Sequence, residues 1–407
     1  MYNSRPSRPS RFGSSSKPSS RFGSRPFRGG RGSRGGFKQK SFRDLSKFIN
    51  KAPVHTEAEV VATEYMFSDF PVHEALKKAI VDKGYKIPTP IQDKSIPHAL
   101  NGFDVVGIAN TGTGKTAAFL IPLIDKILKN DKESVLVVVP TRELATQIQD
   151  ELRGFTHNMR IGSACCVGGA PMGPQLRDLS RHPHFVIGTP GRLKDMIERK
   201  ALPLKQFNTI VLDEADRMLD MGFVNDIKFM MAQMPEKRHT LFFSATTSPE
   251  ITTLIHKFLK DPVMISVKTR DTSKSIDQDV VRLKPGENKF EKLKELLKHE
   301  DFSKVLVFGK TKHGVEKLAV DLVKSGFKAE SIHGNKNQAK RDRALTGFKK
   351  NYSNILVATD VAARGLDIAD VSHVINYDLP ATYEDYIHRI GRTGRGGKTG
   401  KALTFVD

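Results

Sequence analysis

Residues 107–116 read "GIANTGTGKT". An apolar run, "DVVGIA" (104–109), leads into it, and a helix-like apolar stretch follows it. A strand, a glycine-rich turn and a Lys-Thr pair opening a helix make a phosphate cradle. Glycines let backbone N–H groups turn inward, the helix N-terminus favours an anion, and Lys115 adds a cation. Thr111, Gly112, Thr113 and Gly114 form the turn, and Thr116 can offer its hydroxyl to Mg²⁺. The pattern G-x-x-x-x-G-K-[ST] is missed at its first glycine, which is Ala109 here. On this stretch alone, a glycine-rich helix start without a ligand stays open.

Outward from the turn the same rhythm recurs. "SVLVVVP", "SACCVGG", "HFVIGTP", "TIVLDEAD" and "HTLFFSAT" read as buried strands, each followed by a helical segment. That alternation predicts a parallel α/β sheet. The polar stretch "VKTRDTSKSIDQD" (267–279) interrupts it, and the rhythm restarts with "KVLVFGK", "ESIHG", "NILVATD", "SHVINYD" and "KALTFVD". The expected organisation is a tail over 1–50, a linker over 51–64, an α/β domain over 65–267, a linker over 268–278 and a second α/β domain over 279–407.

The chain has 407 residues, enough for two or three domains, and a net charge of +21. Residues 1–50 hold 13 Lys and Arg against one acid, so +12 of that charge sits in the tail. Arg, Ser, Gly and Pro punctuated by Phe cannot bury enough apolar surface to offset chain entropy, which predicts a disordered tail. "SRFGS" occurs twice, at 10–14 and 20–24. Interleaved Arg and Phe suit phosphate attraction and base stacking, so the tail reads as a nucleic-acid grip; a solubilising tail is the alternative. No apolar run reaches the roughly 18 residues of a membrane span, and no export signal opens the chain, which predicts a soluble, cytoplasmic protein. The two cysteines, Cys165 and Cys166, are adjacent and read as small apolar strand residues.

"TIVLDEADRMLDMGF" (209–223) ends an apolar strand in Asp213, Glu214 and Asp216. Like charges so close repel, and acids at a buried strand end need compensation. Beside a phosphate cradle the compensation is a dication: Asp213 would hold Mg²⁺ through water, and Glu214 would position and deprotonate an attacking water. A solvated helix cap suits Asp216.

The order "ANTGTGKT", "DEAD" (213–216), "SAT" (244–246), "HRIGRTGR" (388–395) resembles the DEAD-box ATP-dependent RNA helicases over roughly residues 65–407. The resemblance implies two tandem RecA-like parallel-sheet domains behind the basic tail, with Mg-ATP as cofactor and RNA as partner. "GYKIPTPIQ" (84–92) resembles the adenine-reading motif, which implies that Gln92 bonds adenine; Phe67 in "MFSDF" sits where the family carries a linked aromatic, with simple packing as its alternative. In "PTRELA" (140–145), "GG" (168–169) and "TPGR" (189–192), the resemblance places Arg142, Gly169, Thr189, Gly191 and Arg192 along the RNA backbone. In the second domain it places Thr311, Gln338, Arg341 and Thr359 along the RNA and Asp367 near the ribose. Arg392 and Arg395 would reach the γ-phosphate as arginine fingers; Ser244, Thr246 and His388 would couple the ATP and RNA sites. Gly309-Lys310 departs from the family's usual small-residue–Asn pair. The chain stops right after "KALTFVD", which predicts a truncated or minimal core. A DNA helicase on the same paired domains and a non-enzymatic RNA clamp are the rival readings; the Gln92 motif with "HRIGRTGR" argues against the first, and intact Lys115, Glu214, Arg392 and Arg395 against the second.

Overall fold

The computed structural model describes residues 48–49, 63–110, 112–267, 276–363, 368, 370–394 and 400–406. Within them the apolar runs become short strands: β1 (Val105–Ile108), β2 (Val135–Val138), β3 (Ser163–Cys166), β4 (Phe185–Gly188), β5 (Thr209–Leu212), β6 (His239–Ser244) and β7 (Val263–Ser266). They pair in parallel in the order β3-β4-β2-β5-β6-β1-β7. Interleaved are the helices α1 (Glu74–Asp82), α2 (Pro90–Leu100), α3 (Lys115–Lys129), α4 (Arg142–Thr156), α5 (Met172–Leu179), α6 (Pro190–Glu198), α7 (Ala215–Asp220), α8 (Val224–Met231) and α9 (Pro249–Phe258).

Strand alternation sorts the core into two faces. Val105, Val135, Val137 and Val211 point to one, where Leu76, Phe119, Ile148 and others of α1–α4 cover them. Val106, Leu136, Val138 and Leu212 point to the other, under Leu193, Met218, Ile227 and Ile255 of the later helices. Burial on both faces is why these strands read as continuous apolar runs. Local chemistry sets the helix starts. At α2, Thr89 and Gln92 form a capping box with Pro90 at the first position; Thr141 caps α4 and Ser248 caps α9.

The second sheet contains β8 (Ile276–Arg282), β9 (Val305–Phe308), β10 (Ala329–Ile332), β11 (Ile355–Ala358), β12 (His373–Asn376) and β13 (Gly400–Val406). Its order is β10-β11-β9-β12-β13-β8, again parallel. Its helices are α10 (Lys289–Leu297), α11 (Lys312–Lys324), α12 (Gln338–Lys349), α13 (Asp360–Ala363) and α14 (Tyr383–Ile390). In β8, Ile276 is buried and registers against Gly400 of β13. The linkers lie mostly outside the described residues, and so does the tail except for Phe48 and Ile49. Phe48 is fully buried. No described helix is long and apolar enough to cross a membrane.

Cys165 and Cys166 lie on β3, and burial pushes their thiols up to about 11 and about 12. They stay protonated and pack as apolar residues, as the sequence suggested.

Candidate active site

In a parallel sheet the loops after the strands gather at the carboxyl edge. β6 lies between β1 and β5, so three loops meet: the glycine turn after β1, the acid cluster after β5 and Ser244-Ala245-Thr246 after β6. Backbone bonds lock the register, with Ala109 N donating to Ser244 O at 3.0 Å and Asp213 N to Val138 O at 3.1 Å.

The turn is built for an anion. Gly112 and Gly114 take φ of +85° and +93°, which L side chains adopt at a cost. Gly114 opens α3 with no side-chain cap, leaving the first N–H groups of the helix without a side-chain acceptor. A Cβ on Gly114 would collide with the Gln92 amide. That amide braces the turn: Gln92 Nε2 donates to Gly114 O at 3.0 Å, and its Oε1 accepts from Thr89 N at 2.8 Å. Lys115 Nζ folds back to donate to Ala109 O at 2.9 Å, and Thr113 donates to Asn110 O at 2.8 Å. Thr116, next on α3, is half-buried. Phe67 is only 3% exposed, edge-on to Phe70 and Tyr85, so in this structure it does what packing requires. Thr111 lies outside the described residues.

Asp213 is 2% exposed, and its carboxyl is pushed up to about 6. Burial is the largest cause; Lys115 pulls the other way, and Glu214 and Asp216 add repulsion. Lys115 acts on Asp213, and Lys115 and Arg217 both act on Asp216; a dication added beside these acids would further favour their ionised forms. Glu214 sits at φ +51°, a left-handed conformation rare for a residue with a Cβ, at the start of α7. Strain of this kind persists where surroundings over-determine it, and it collects at functional sites.

Asp216 overturns the expectation of a solvated cap. It is 7% exposed, and its Oδ2 accepts from Ala245 N at 3.2 Å while Oδ1 accepts from Arg217 N at 3.1 Å. Ser244 closes the adjoining turn by donating to Thr246 O at 2.9 Å and accepting from Thr246 N at 3.3 Å. The acid cluster and the Ser-Ala-Thr turn are thus one hydrogen-bonded unit.

On the other side of the same edge, the structure gathers three arginines. Arg142, opening α4, lies over Gly168 and Gly169; Gly169 has φ +76°, and a Cβ there would meet the Arg142 guanidinium. Arg192 reaches Ala170 O with both terminal nitrogens at 3.3 Å. Burial first, then the Arg341 guanidinium, lowers the Arg142 pKa, with Arg192 contributing in the same direction. Such a cluster favours an anionic partner. Thr189 is 8% exposed at the start of α6, and Gly191 beside it has open space where a Cβ would be. Arg341 does more than line a surface: its Nη2 pairs with Glu143 of α4 at 2.6 Å, joining α12 of the second domain to the first.

In the second domain, Thr311 caps α11 by accepting from Gly314 N at 3.0 Å. Gln338 donates to Asp342 at 2.9 Å, and Thr359 starts α13, its carbonyl accepting from Ala363 N at 2.9 Å. Arg392 is 3% exposed, with Nε donating to His388 O at 3.3 Å. Arg395 and Asp367 lie outside the described residues. The residue that sequence reasoning passed over is Arg389. Its Nε and Nη2 fork onto Asp360 at 2.5 and 2.7 Å, Nη1 donates to Asn376 Oδ1 and Asp378 O, and its guanidinium lies over the Phe308 ring. Arg389 thus ties α14 to α13 and to the ends of β9 and β12. Its position inside "HRIGRTGR" was the available signal; its partners were not.

Residues 89–254 match the family described as DEAD/DEAH box helicase, and residues 288–397 match the helicase conserved C-terminal domain. The chain is 47% identical to DEAD-box ATP-dependent RNA helicase 30 of Arabidopsis thaliana, over 89% of this chain and 63% of that protein. It is 45% identical to ATP-dependent RNA helicase CshA of Limosilactobacillus reuteri, over 84% of this chain and 69% of the relative. The chain therefore spans about two thirds of the length of these relatives. Among solved structures it is similar to S. cerevisiae Dbp5 bound to RNA and ADP BeF3 (TM-score 0.74, 29% identity, 84% of this chain, 89% of that one). It is also similar to Mss116p bound to ssRNA and AMP-PNP (TM-score 0.77, 30% identity, 87% of this chain, 77% of that one).

Proposed function

The chain belongs to the DEAD-box family of ATP-dependent RNA helicases, and from that premise we propose that it hydrolyses ATP in response to RNA and separates short duplexes locally. The observation that carries this reading is the bond from Ala245 N to Asp216, which makes the acid cluster beside the phosphate cradle and the Ser-Ala-Thr turn a single unit. A change at the nucleotide then has a covalent and hydrogen-bonded route out of the cradle.

The uncapped N–H groups of α3 and the Gly112–Gly114 turn take the phosphates, and Lys115 leaves the Ala109 carbonyl to meet them. Gln92 accounts for adenine, hence ATP. Thr116 and Asp213 would hold Mg²⁺, Asp213 through water; when bound, the ion neutralises phosphate charge and favours ionised Asp213. Glu214 orients the attacking water and takes its proton as the water oxygen bonds the γ-phosphorus and ADP departs. Arg392 and Arg395 offset charge on the transferring phosphoryl group, and Asp367 holds the ribose.

The RNA path runs over Arg142, Gly169, Thr189, Gly191 and Arg192 on the first domain and Thr311, Gln338, Arg341 and Thr359 on the second. These groups suit phosphate and sugar, so binding reads backbone rather than sequence. ATP and RNA each need both domains, so each favours the joined arrangement in which the other binds best. The Glu143–Arg341 pair supports that arrangement. Ser244, Thr246 and His388 couple the two sites. Its setting, on this reading, is the cytoplasm.

The test is steady-state ATP hydrolysis with no nucleic acid, with single-stranded RNA and with matching DNA, with Mg²⁺ present and Glu214→Gln as control. RNA-specific stimulation that the variant lacks is the expected result. Equal rates in all three conditions would leave an ATPase and remove the helicase reading.

A further inference from the structure

Phe48 comes from the basic segment that precedes the first domain, yet its side chain is fully buried. Its ring meets Tyr386 of α14, in the second domain, edge-on at 4.8 Å and 79°. Tyr386 is itself fully buried, donates its hydroxyl to Gln278 on β8 at 2.9 Å and lies beside Tyr383 at 5.8 Å. The receiving surface is therefore rigid: a tyrosine held by a buried hydrogen bond, on the helix that carries His388 and Arg389 and leads to Arg392. Ile49, the next residue, is 43% exposed, so of the two described residues here it is Phe48 that is buried. Downstream, Phe67 is buried in the first domain. The chain thus touches the second domain before it enters the first.

We propose that Phe48 is an intramolecular anchor that roots the basic N-terminal segment on α14, so that the 13 Lys and Arg of residues 1–50 reach RNA from a fixed origin beside the arginine helix. An arm tethered at the site acts at a high effective concentration, whereas an arm whose root wanders spreads the same charge over a larger volume. Burial of the whole Phe48 ring, with the edge-on pair adding to it, offsets the entropy of ordering a single residue. The partner chemistry is a nucleic-acid backbone, which rests on the proposed RNA reading; the anchor itself does not.

The sequence contains no tryptophan, so Phe48→Trp in the full chain gives a single emitter at the anchor. Blue-shifted emission shielded from acrylamide, lost when Tyr386→Ala is added and retained with Tyr386→Phe, is expected. Solvent-like, quenchable emission overturns the anchor, unless the larger ring alone prevents docking. Hydrogen exchange decides that case without tryptophan: Phe48→Ala should speed exchange of the α14 amides by about two- to tenfold relative to the unaltered chain, the range set by one aromatic pair, and unchanged exchange overturns the anchor. For the rooted arm, Phe48→Ala should raise the RNA concentration that half-saturates ATP hydrolysis by about threefold or more and leave kcat at saturating RNA unchanged. An unchanged half-saturation point overturns the rooting. Absence of any RNA stimulation in the unaltered chain would count against the proposed function and leave the emission and exchange results standing.

Discussion

The turn after β1 and the turn after β9 each lead from a four-residue strand of a parallel sheet into a long helix, although β1 lies between β6 and β7 while β9, between β11 and β12, holds the place that β2 holds in the first sheet. After β1, two glycines turn to positive φ, α3 starts without a side-chain cap, and Lys115 folds over the opening. After β9, the Thr311 hydroxyl caps α11, Lys310 N donates to Asp378 at 2.8 Å, and a Cβ on Gly309 would press on Val315 at 2.8 Å. One turn leaves helix N–H groups for an anion; the other spends its polar groups on its own chain. The strand-turn-helix unit is shared, and its turn chemistry separates a turn open to an anion from one closed on its own chain. The second domain contributes charge instead, from a helix fastened through Arg389.

The sharpest test of this division is Arg392→Ala. It should lower RNA-stimulated kcat by about 10³–10⁵ while ATP affinity stays close to that of the unaltered chain; lost ATP binding would mean that the second domain also forms the cradle. Arg389→Ala strikes the fastening rather than the chemistry. Removing one partner of a buried forked pair costs about 3–5 kcal/mol, so the second domain should melt first, as a separate early transition in calorimetry. A single unshifted transition would show that α14 is held some other way.

Glycine exchange compares the two turns directly. Gly114→Ala puts a Cβ at φ +93° and against Gln92, and about 1–2 kcal/mol of left-handed strain should weaken ATP binding by roughly tenfold or more in titration calorimetry. Gly309→Ala should leave ATP affinity unchanged and only soften the fold. Equal losses would erase the distinction. The smallest effect concerns acid. Burial pushes His373, stacked on Phe302 at 3.8 Å, down to about 4 from 6.5. A histidine neutral when folded but protonated when unfolded contributes stability above about 6.5 that is lost as pH falls toward 4. Burial lowers His239 in the first domain as well. Urea unfolding between pH 7 and 4.5 should therefore show both domains weakening, with a continuous loss in the second as far as the fall toward pH 4 is followed.

The placing of Lys115, Asp213 and Glu214 at one sheet edge was legible because each lies within a few residues of a strand end, and strand-turn-helix order is written in local pattern. Asp216 was misread as solvated because its partner, Ala245, lies 29 residues away in the turn after a neighbouring strand. Arg389 escaped for the same reason: Asp360 is also 29 residues distant. Gln92 was read from the resemblance as an adenine contact, and only the folded chain shows it bracing Gly114. Phe48 looked like one more aromatic in a low-complexity tail, since nothing near it hints at Tyr386.

By itself the sequence determined the two parallel α/β units, the cradle and the acids beside it, because apolar runs and turn residues act over distances shorter than one element. Tertiary structure alone decided which polar side chains brace, fasten or anchor. Those roles depend on partners brought close by strand order and helix packing, and burial makes each such partner obligatory once water is gone.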